Sequence, residues 1–387
     1  MSLEILTFHG LVLADVVESI IGAAYLHGGF SLGYECTKYF DLGLKWEPIP
    51  ARVDQILSRV EQITEQDIEN FPPQLFDVEK MLGYTFRQKL LLVEALTHAS
   101  YQSDSRTPSY ERMEFLGDSV LDIVVTDYLY HAPGKNYSPG HMHLRKSAVV
   151  NGHILAYICL KTQLCVEAVM PRPDANGQIE ITSDAQDIFL WKCLLHSSHK
   201  VLEDQQNTFA RFRKRRDEIE DSLMKGTIFP WAALTRLQAP KFFSDMMESV
   251  IGAAFLDCGG SIPVVRDILV RLGIMPLLEH IVLDNVDVLH PVSRLSMWAQ
   301  KHDKEIQYDS RRVEGKAICT ILVDGKEEVT VSDEWRGKPS QDEVKFAAAE
   351  MAIKQFKLRN DGVSYDVLKK KKASKQKKKK QKQKKDS

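Results

Sequence analysis

Glu111-Arg112-Met113-Glu114-Phe115-Leu116-Gly117-Asp118-Ser119-Val120-Leu121-Asp122 is the stretch on which the fold turns. Apolar residues continue at helical spacing through Ile123, Val124, Val125, Tyr128 and Leu129, so the segment predicts one amphipathic helix. Glu111, Glu114 and Asp118 stand at i, i+3 and i+7 and share one stripe of that helix, which this reading turns inward among apolar neighbours. Carboxylates held in such a place are costly unless they are paired, hydrogen-bonded or bound to a cation.

A second acid pair comes from an internal repeat. VLADVVESIIGAAYLHGGFS at residues 12–31 and FFSDMMESVIGAAFLDCGGS at residues 242–261 agree at ten of twenty positions. Asp15 and Glu18 align with Asp245 and Glu248, an i, i+3 pair on one helical face. The shared I-G-A-A-x-L supplies small and apolar residues for close packing, and Gly29 or Gly259 ends the helix. Four acids, Glu114 and Asp118 from one helix with Asp245 and Glu248 from another, repel one another unless a cation intervenes. Oxygen ligands without histidine or thiolate favour Mg²⁺, with Mn²⁺ as a substitute. From spacing alone, a metal site and two solvated helix faces both remain open.

Composition bounds the setting. The 387 residues are 44% hydrophobic and 27% charged, the balance of a folded chain of two or three domains. No long uncharged apolar run predicts a membrane span, and no basic residue precedes the short apolar run at the N-terminus, so neither a membrane nor secretion is expected. Six scattered cysteines without a C-x-x-C pair argue against a disulfide scaffold and a four-thiolate zinc site. The net charge of −2 hides an asymmetry: residues 369–387 hold twelve lysines and one acid, a charge of +11, which leaves −13 on residues 1–368. Such a tail reads as a disordered polycation, suited to nuclear import, solubility or RNA phosphates, in the nucleus or the cytoplasm.

The run Glu111–Asp122 resembles the signature of ribonuclease III. Leu82-Gly83-Tyr84-x-Phe86 with Glu94-Ala95-Leu96-Thr97-His98-Ala99-Ser100-Tyr101 upstream, and Lys241 ahead of Asp245 and Glu248 downstream, are similar to further motifs of that family in the same order. The rest of the chain resembles the C-terminal portion of the Dicer-like members. The resemblance implies a mainly α architecture: an all-helical ribonuclease III domain followed by a small α-β-β-β-α double-stranded-RNA-binding domain. Residues 1–48 are then the end of a first ribonuclease III domain, 49–74 a linker, 75–285 a complete second domain, 290–358 the RNA-binding domain and 359–387 the tail.

The same resemblance implies the chemistry. Glu114, Asp118, Asp245 and Glu248 would hold two divalent ions and hydrolyse phosphodiesters of double-stranded RNA to 5′-phosphate and 3′-hydroxyl ends, in small-RNA production and RNA silencing. Lys241 would offset charge on the scissile phosphate, and Glu111 would either support the ligands or form a peripheral ion pair. Asp15 and Glu18 form an incomplete second site, because the E-F-L-G-D half of the first domain has no counterpart ahead of them. One intact site implies nicking by a monomer. A homodimer, or pairing with another ribonuclease III domain, would restore double-strand cutting. The alternative is a truncated, non-cleaving protein that binds double-stranded RNA or pairs with a full-length Dicer.

The RNA-binding domain departs from its family pattern. In place of a lysine cluster at the start of its last helix stands Ser340-Gln341-Asp342-Glu343-Val344-Lys345, with Lys338 just before. Arg311, Arg312, Lys316, Lys338 and Lys345 are the candidate RNA contacts, with protein docking as the other reading of this module. His98 reads as a packed or capping residue, His141-x-His143 fits no zinc arrangement, and Arg211–Arg216 reads as the face of an exposed helix. The five tryptophans show no stacking pattern and read as packing residues.

Overall fold

The computed structural model describes residues 3–43, 45, 47–58, 71–101, 108–173, 179–335 and 339–358. In chain order the first helices are α1 (Leu3–Tyr39, broken at Gly28 and Gly29), α2 (Ile49–Ser58), α3 (Gln74–Leu82), α4 (Lys89–Leu96), α5 (Glu111–Tyr130), α6 (Pro139–Val149) and α7 (Gly152–Lys161). A hairpin of β1 (Gln163–Pro173) and β2 (Ile179–Phe189) follows, then α8 (His199–Lys225), α9 (Trp231–Thr235), α10 (Phe242–Asp257), α11 (Ile262–Arg271) and α12 (Ile274–Leu283). The C-terminal module is α13 (Pro291–His302), β3 (Ile306–Val313), β4 (Lys316–Val323), β5 (Lys326–Glu334) and α14 (Pro339–Gln355).

α10 is the axle of the nuclease unit. Its sequence is apolar on all sides, and every residue except Glu248 is buried, so it runs through the core with α4, α5 and α7 packed around it. Its last residue, Asp257, is a buried acid fully met by donors: Tyr84 Oη at 2.7 Å and the backbone N–H groups of Arg87 (2.9 Å) and Gln88 (2.7 Å). That bond set holds the entry to α4, and Ser249 Oγ donates to the Ala95 carbonyl at 2.7 Å farther along.

The tightest contact is where α5 crosses α10. A methyl group on Gly117 would lie 2.6 Å from the Glu248 carbonyl carbon and 2.9 Å from Gly252 N, and one on Gly252 would meet the Met113 carbonyl. Only glycine lets the two backbones approach so closely. The crossing brings Glu114 and Asp118 of α5 beside Asp245 and Glu248 of α10.

Two departures from the sequence reading stand out. The nuclease unit is not all-helical: β1 and β2 pair antiparallel over eleven residues each, from Gln163↔Phe189 to Pro173↔Ile179. Val166 and Ile188 look like ordinary apolar residues in one strand alone, and only the antiparallel pairing distinguishes two strands from a helix end there. The segment assigned to a linker also holds α2, whose buried Val53 and partly buried Ile49, Ile56 and Leu57 join the nuclease core.

The C-terminal module has the expected α-β-β-β-α order, with strands in the order β3-β4-β5, all antiparallel. Its hairpins turn on Glu314-Gly315 and Asp324-Gly325, all four residues at positive φ, the signature of two-residue turns whose twist matches the strands. Leu295, Ala317, Cys319, Ile321, Val344, Ala348 and Ala352 make a core of its own, and Trp298 stacks on Phe356 with centroids 4.8 Å apart. Of the other tryptophans, Trp191 and Trp231 are buried, Trp335 lies under Arg312, and Trp46 falls outside the described residues.

The module is docked on the nuclease unit. His290, which opens α13, lies between the Trp231 ring (4.9 Å) and the Phe346 ring (4.3 Å) and accepts from Val292 N through Nδ1. Burial, then the nearby His153 and Lys345, hold His290 down at about 4, with Asp342 opposing. An unfolded histidine takes up its proton near 6.5 while the folded one stays neutral, so stability falls as pH drops from about 6.5 to 4. Thermal melts across that range are expected to decline less for His290→Asn than for the wild type. Parallel declines would remove His290 as the cause.

Candidate metal centre

Glu111, Glu114, Phe115, Asp118, Gly152, Lys241, Ser244, Asp245 and Glu248 line an open cleft of about 470 Å³ between the starts of α5 and α10. Ligand oxygens of Glu114, Asp245 and Glu248 all lie within 4.8 Å of one another. Asp118 faces the same cleft from the next turn of α5 but stands outside that closest trio. The acidic stripe of α5 therefore points into the cleft instead of the core: Glu111 and Asp118 are exposed and Glu114 is half-buried. The stripe changes surroundings along its length: Leu121 and Val125, seven residues beyond Glu114 and Asp118, are buried in the core, whereas at the start of α5 the same stripe opens on the cleft beside α10.

Each carboxylate sits in a different field. Asp245 is buried, at 5% exposure, and its first-turn position on α10 places it at the positive end of that helix. Lys241 Nζ donates to its Oδ1 at 2.6 Å and to Glu114, and Tyr110 Oη donates to its Oδ2 at 3.3 Å. Burial still pushes Asp245 above the usual carboxylate range, helped by the Glu114 charge and opposed by Lys241 and Tyr110. Glu248 has no such donor. Burial first, then the charges of Asp118, Asp245 and Glu114, push it up to about 8, with Lys241 opposing. Asp118 is raised by burial and by Asp122. Burial opposes the Lys241 charge, but hydrogen bonds to Asp245 and Glu114 hold that ammonium above its ordinary range.

The donor set fits a hard divalent cation. It is all oxygen, it carries more negative charge than one lysine offsets, and its most repelled member, Glu248, has no hydrogen-bond donor among the described residues.

Residues 111–259 match the ribonuclease III domain model, a span that opens on the first acid of α5 and closes just after α10. The chain carries a ribonuclease III domain. The likeness runs beyond the matched domain. The chain is 34% identical over 353 residues to Dicer-like protein 2 of Coccidioides immitis, covering 90% of this chain and 24% of that protein. It is 33% identical over 360 residues to Dicer-like protein 2 of Aspergillus oryzae, covering 91% and 25%. The chain thus spans about a quarter of the length of the curated relatives it matches. The nuclease domain of ribonuclease III from Campylobacter jejuni is 26% identical, covering 52% of this chain and 94% of that one, with a TM-score of 0.32.

Within the ribonuclease III domain, Tyr110 is the site residue that the sequence reading missed. It sits one residue ahead of α5, and only the fold shows that its hydroxyl reaches Asp245 across 135 residues of chain. Ser244 Oγ donates to the Lys241 carbonyl at 2.7 Å and lies 3.4 Å from Asp245 Oδ1. Glu111 lines the cleft and accepts from Ser109. His98 packs its ring on Tyr110 and Phe242 and engages Ser100 through Nδ1, so it braces the cleft from behind.

Other candidates lie elsewhere. Asp15 and Glu18 are both exposed on α1, and among the described residues no third His, Cys, Asp or Glu joins them or His141 and His143 in a ligand group. Arg211 turns back to the Leu237 carbonyl at 2.8 Å and Phe212 is buried, so the basic run on α8 is partly an anchor. In the C-terminal module Arg311 pairs with Asp309 at 2.9 Å, Arg312 lies 4.8 Å over the Trp335 ring and Lys316 is exposed. Lys345 lies 5.2 Å over the Tyr308 ring. Lys338 and the lysine tail fall outside the described residues. The six cysteines are free, and no helix among the described residues is long and apolar enough to cross a membrane.

Proposed function

We propose that this chain is a divalent-metal-dependent endoribonuclease that hydrolyses phosphodiesters of double-stranded RNA, leaving 5′-phosphate and 3′-hydroxyl ends, in small-RNA production and RNA silencing. The observation that carries the proposal is the convergence of Glu114, Asp245 and Glu248 from two crossing helices, with Asp118 beside them and Lys241 between two of them. Glu114, Asp118, Asp245 and Glu248 hold Mg²⁺, with Mn²⁺ as a substitute. When bound, such an ion supplies an activated water and stabilises charge on the leaving 3′ oxygen.

The chain's own residues do the rest. Tyr110 fixes the orientation of the Asp245 carboxylate. Lys241, with 71% of its side chain exposed, is free to swing from Glu114 and Asp245 to a phosphate oxygen, where its charge opposes the negative charge that builds during attack. A groove bounded by Phe115 and Gly152 leaves the cluster open to a polymer backbone.

The purified chain, incubated with end-labelled RNA duplex and Mg²⁺, is expected to cut it to fragments with 5′-phosphate ends and to stop in EDTA. Duplex that is retarded in a native gel but never cut would favour the non-cleaving, RNA-binding reading.

Tyr110→Phe removes one hydrogen bond and little volume. It is expected to weaken Mn²⁺ binding about tenfold, as loss of an orienting partner does elsewhere, with the melting temperature held. Calorimetric titration checks this, and an unchanged affinity would mean that the Tyr110 hydroxyl does not orient Asp245.

A pairing surface is part of the proposal. α1 repeats α10 in sequence, yet Val12, Leu13, Val16 and Ile20 are exposed where Phe242, Phe243, Met246 and Val250 are buried. Gly22, the counterpart of Gly252, has nothing within 4 Å. This face fits a helix of the Glu111–Tyr130 kind, from a second copy of the chain or another ribonuclease III domain, and burying it would complete a site around Asp15 and Glu18. Sedimentation equilibrium is expected to show self-association that Val16→Asp abolishes.

A further inference from the structure

α14 has two buried faces. Val344, Ala348 and Ala352, four residues apart, pack on the module's own sheet. Ser340, Glu343, Phe346 and Glu350 run along a second stripe at spacings of three, three and four, and this one meets the nuclease unit. Ser340 is 0% and Glu343 4% exposed. Glu343 accepts a hydrogen bond from the Gln238 side chain, and Glu350 Oε1 accepts from Ala232 N at 3.2 Å, at the start of α9. Phe346 belongs to neither hydrophobic core. It fills the seam, with the His290 ring 4.3 Å and the His153 ring 6.2 Å from its own.

The nuclease side is shaped for this contact. Gln238 is buried and sits at φ +46°, a left-handed conformation that a residue other than glycine keeps only where its surroundings fix it. Its neighbours lead directly to the cleft: Lys241 is three residues on, and His153 follows Gly152, which lines the cleft wall.

We propose that the first two turns of α14 are a protein-docking face, which fixes the C-terminal module beside the metal centre and makes no contact with RNA phosphates. Phosphate contacts require donors that reach solvent. Here the positions that point outward from the helix start include Asp342, the positions that point inward are occupied by the nuclease unit, and Lys345 lies over Tyr308 of its own module. The acids in this segment are consistent with that role: Glu343 gives the buried Gln238 amide an acceptor. The module is thereby held against the nuclease unit, and RNA contact by the module falls to its exposed hairpin residues Arg311, Arg312 and Lys316.

Hydrogen exchange and RNA binding on the full chain test this from both sides of the seam. Phe346→Ala alters the helix, while Gln238→Asn keeps the left-handed backbone but is too short to reach Glu343. Both are expected to raise exchange of the Ala232–Leu234 amides at least tenfold and to leave the affinity for RNA duplex, measured in EDTA, within twofold of wild type with an unchanged salt slope. Adding RNA to the wild type is expected to leave exchange in Ser340–Phe346 unaltered. A fivefold loss of RNA affinity in Phe346→Ala but not in Gln238→Asn would overturn the proposal, as would RNA-dependent protection of Ser340–Phe346. Because neither reading needs cleavage, failure of the nuclease assignment would leave these outcomes legible.

Discussion

Glu248→Gln is expected to lower the rate of duplex-RNA cleavage by roughly 10²–10³, as loss of a few kcal/mol of metal-derived charge stabilisation requires at 1.36 kcal/mol per tenfold. Duplex binding should persist. The substitution is nearly isosteric and removes the carboxylate that burial and the charges of Asp118, Asp245 and Glu114 together push furthest up. In EDTA the variant is therefore expected to melt above the wild type, because the repulsion is gone. In Mg²⁺ the order should reverse, because the wild type gains stability from the ion by mass action and the variant gains less. Melting curves in the two buffers read both effects. A variant that cuts at the wild-type rate, or that melts below wild type in EDTA, would contradict this role for Glu248.

Gly117→Ala is the largest expected effect on the fold itself. Its new methyl group would lie 2.6 Å from the Glu248 carbonyl carbon and 2.9 Å from Gly252 N, and both are backbone atoms of a fully enclosed helix. Relief requires α5 and α10 to separate. Overpacking of this kind costs typically about 1–3 kcal/mol and here falls at or above the top of that range, because no side chain can turn aside. For a unit of this size, each kcal/mol lowers the melting temperature by roughly 2–4 °C. Separation also moves Glu114 and Asp118 away from Asp245 and Glu248, so the surviving folded protein should bind Mn²⁺ more weakly. Gly22→Ala is the matched control at the repeat position on α1, where nothing lies within 4 Å. It is expected to be neutral or to stabilise by up to about 1 kcal/mol through helix propensity. Equal losses in the two variants would show that the crossing is not what Gly117 serves.

Much of the site was legible before any coordinates, and for a physical reason. Glu114, Asp118, Lys241, Asp245 and Glu248 are ionisable residues at fixed helical spacing within apolar segments, and a conflict between charge and burial is visible in one dimension. Gly117 was visible too, but only the crossing with Gly252 explains it. Tyr110 was not legible, because an aromatic residue ahead of a helix has no periodic signature and its partner lies far along the chain. The direction of the acidic stripe is open for a related reason: spacing defines a stripe, whereas whether it meets core or cleft at each turn depends on the neighbouring helices, so Leu121 and Val125 are buried where Glu111 and Asp118 are exposed. The β1–β2 hairpin needed knowledge of a pairing between two short alternating strands. In α14 the run Phe346-Ala347-Ala348-Ala349-Glu350 carries no spacing that divides it into faces. It is two faces, each with a different partner, and no single-helix pattern separates them.

The proposed pairing would add a second helix beside Asp15 and Glu18 by association, whereas the proposed docking holds the C-terminal module against α7 and α9. Their effects separate in experiment, since Val16→Asp acts through concentration and Phe346→Ala does not.

Whether the four carboxylates hold a divalent ion is tested most directly by anomalous diffraction from crystals of the full chain equilibrated with Mn²⁺. A peak is expected in the cleft bounded by Glu114, Asp118, Asp245 and Glu248, with Lys241 displaced from Glu114 and Asp245, and no peak there in Glu248→Gln at the same Mn²⁺ concentration. A wild-type cleft without a peak, with Lys241 still bridging Glu114 and Asp245, would contradict a metal centre at this crossing.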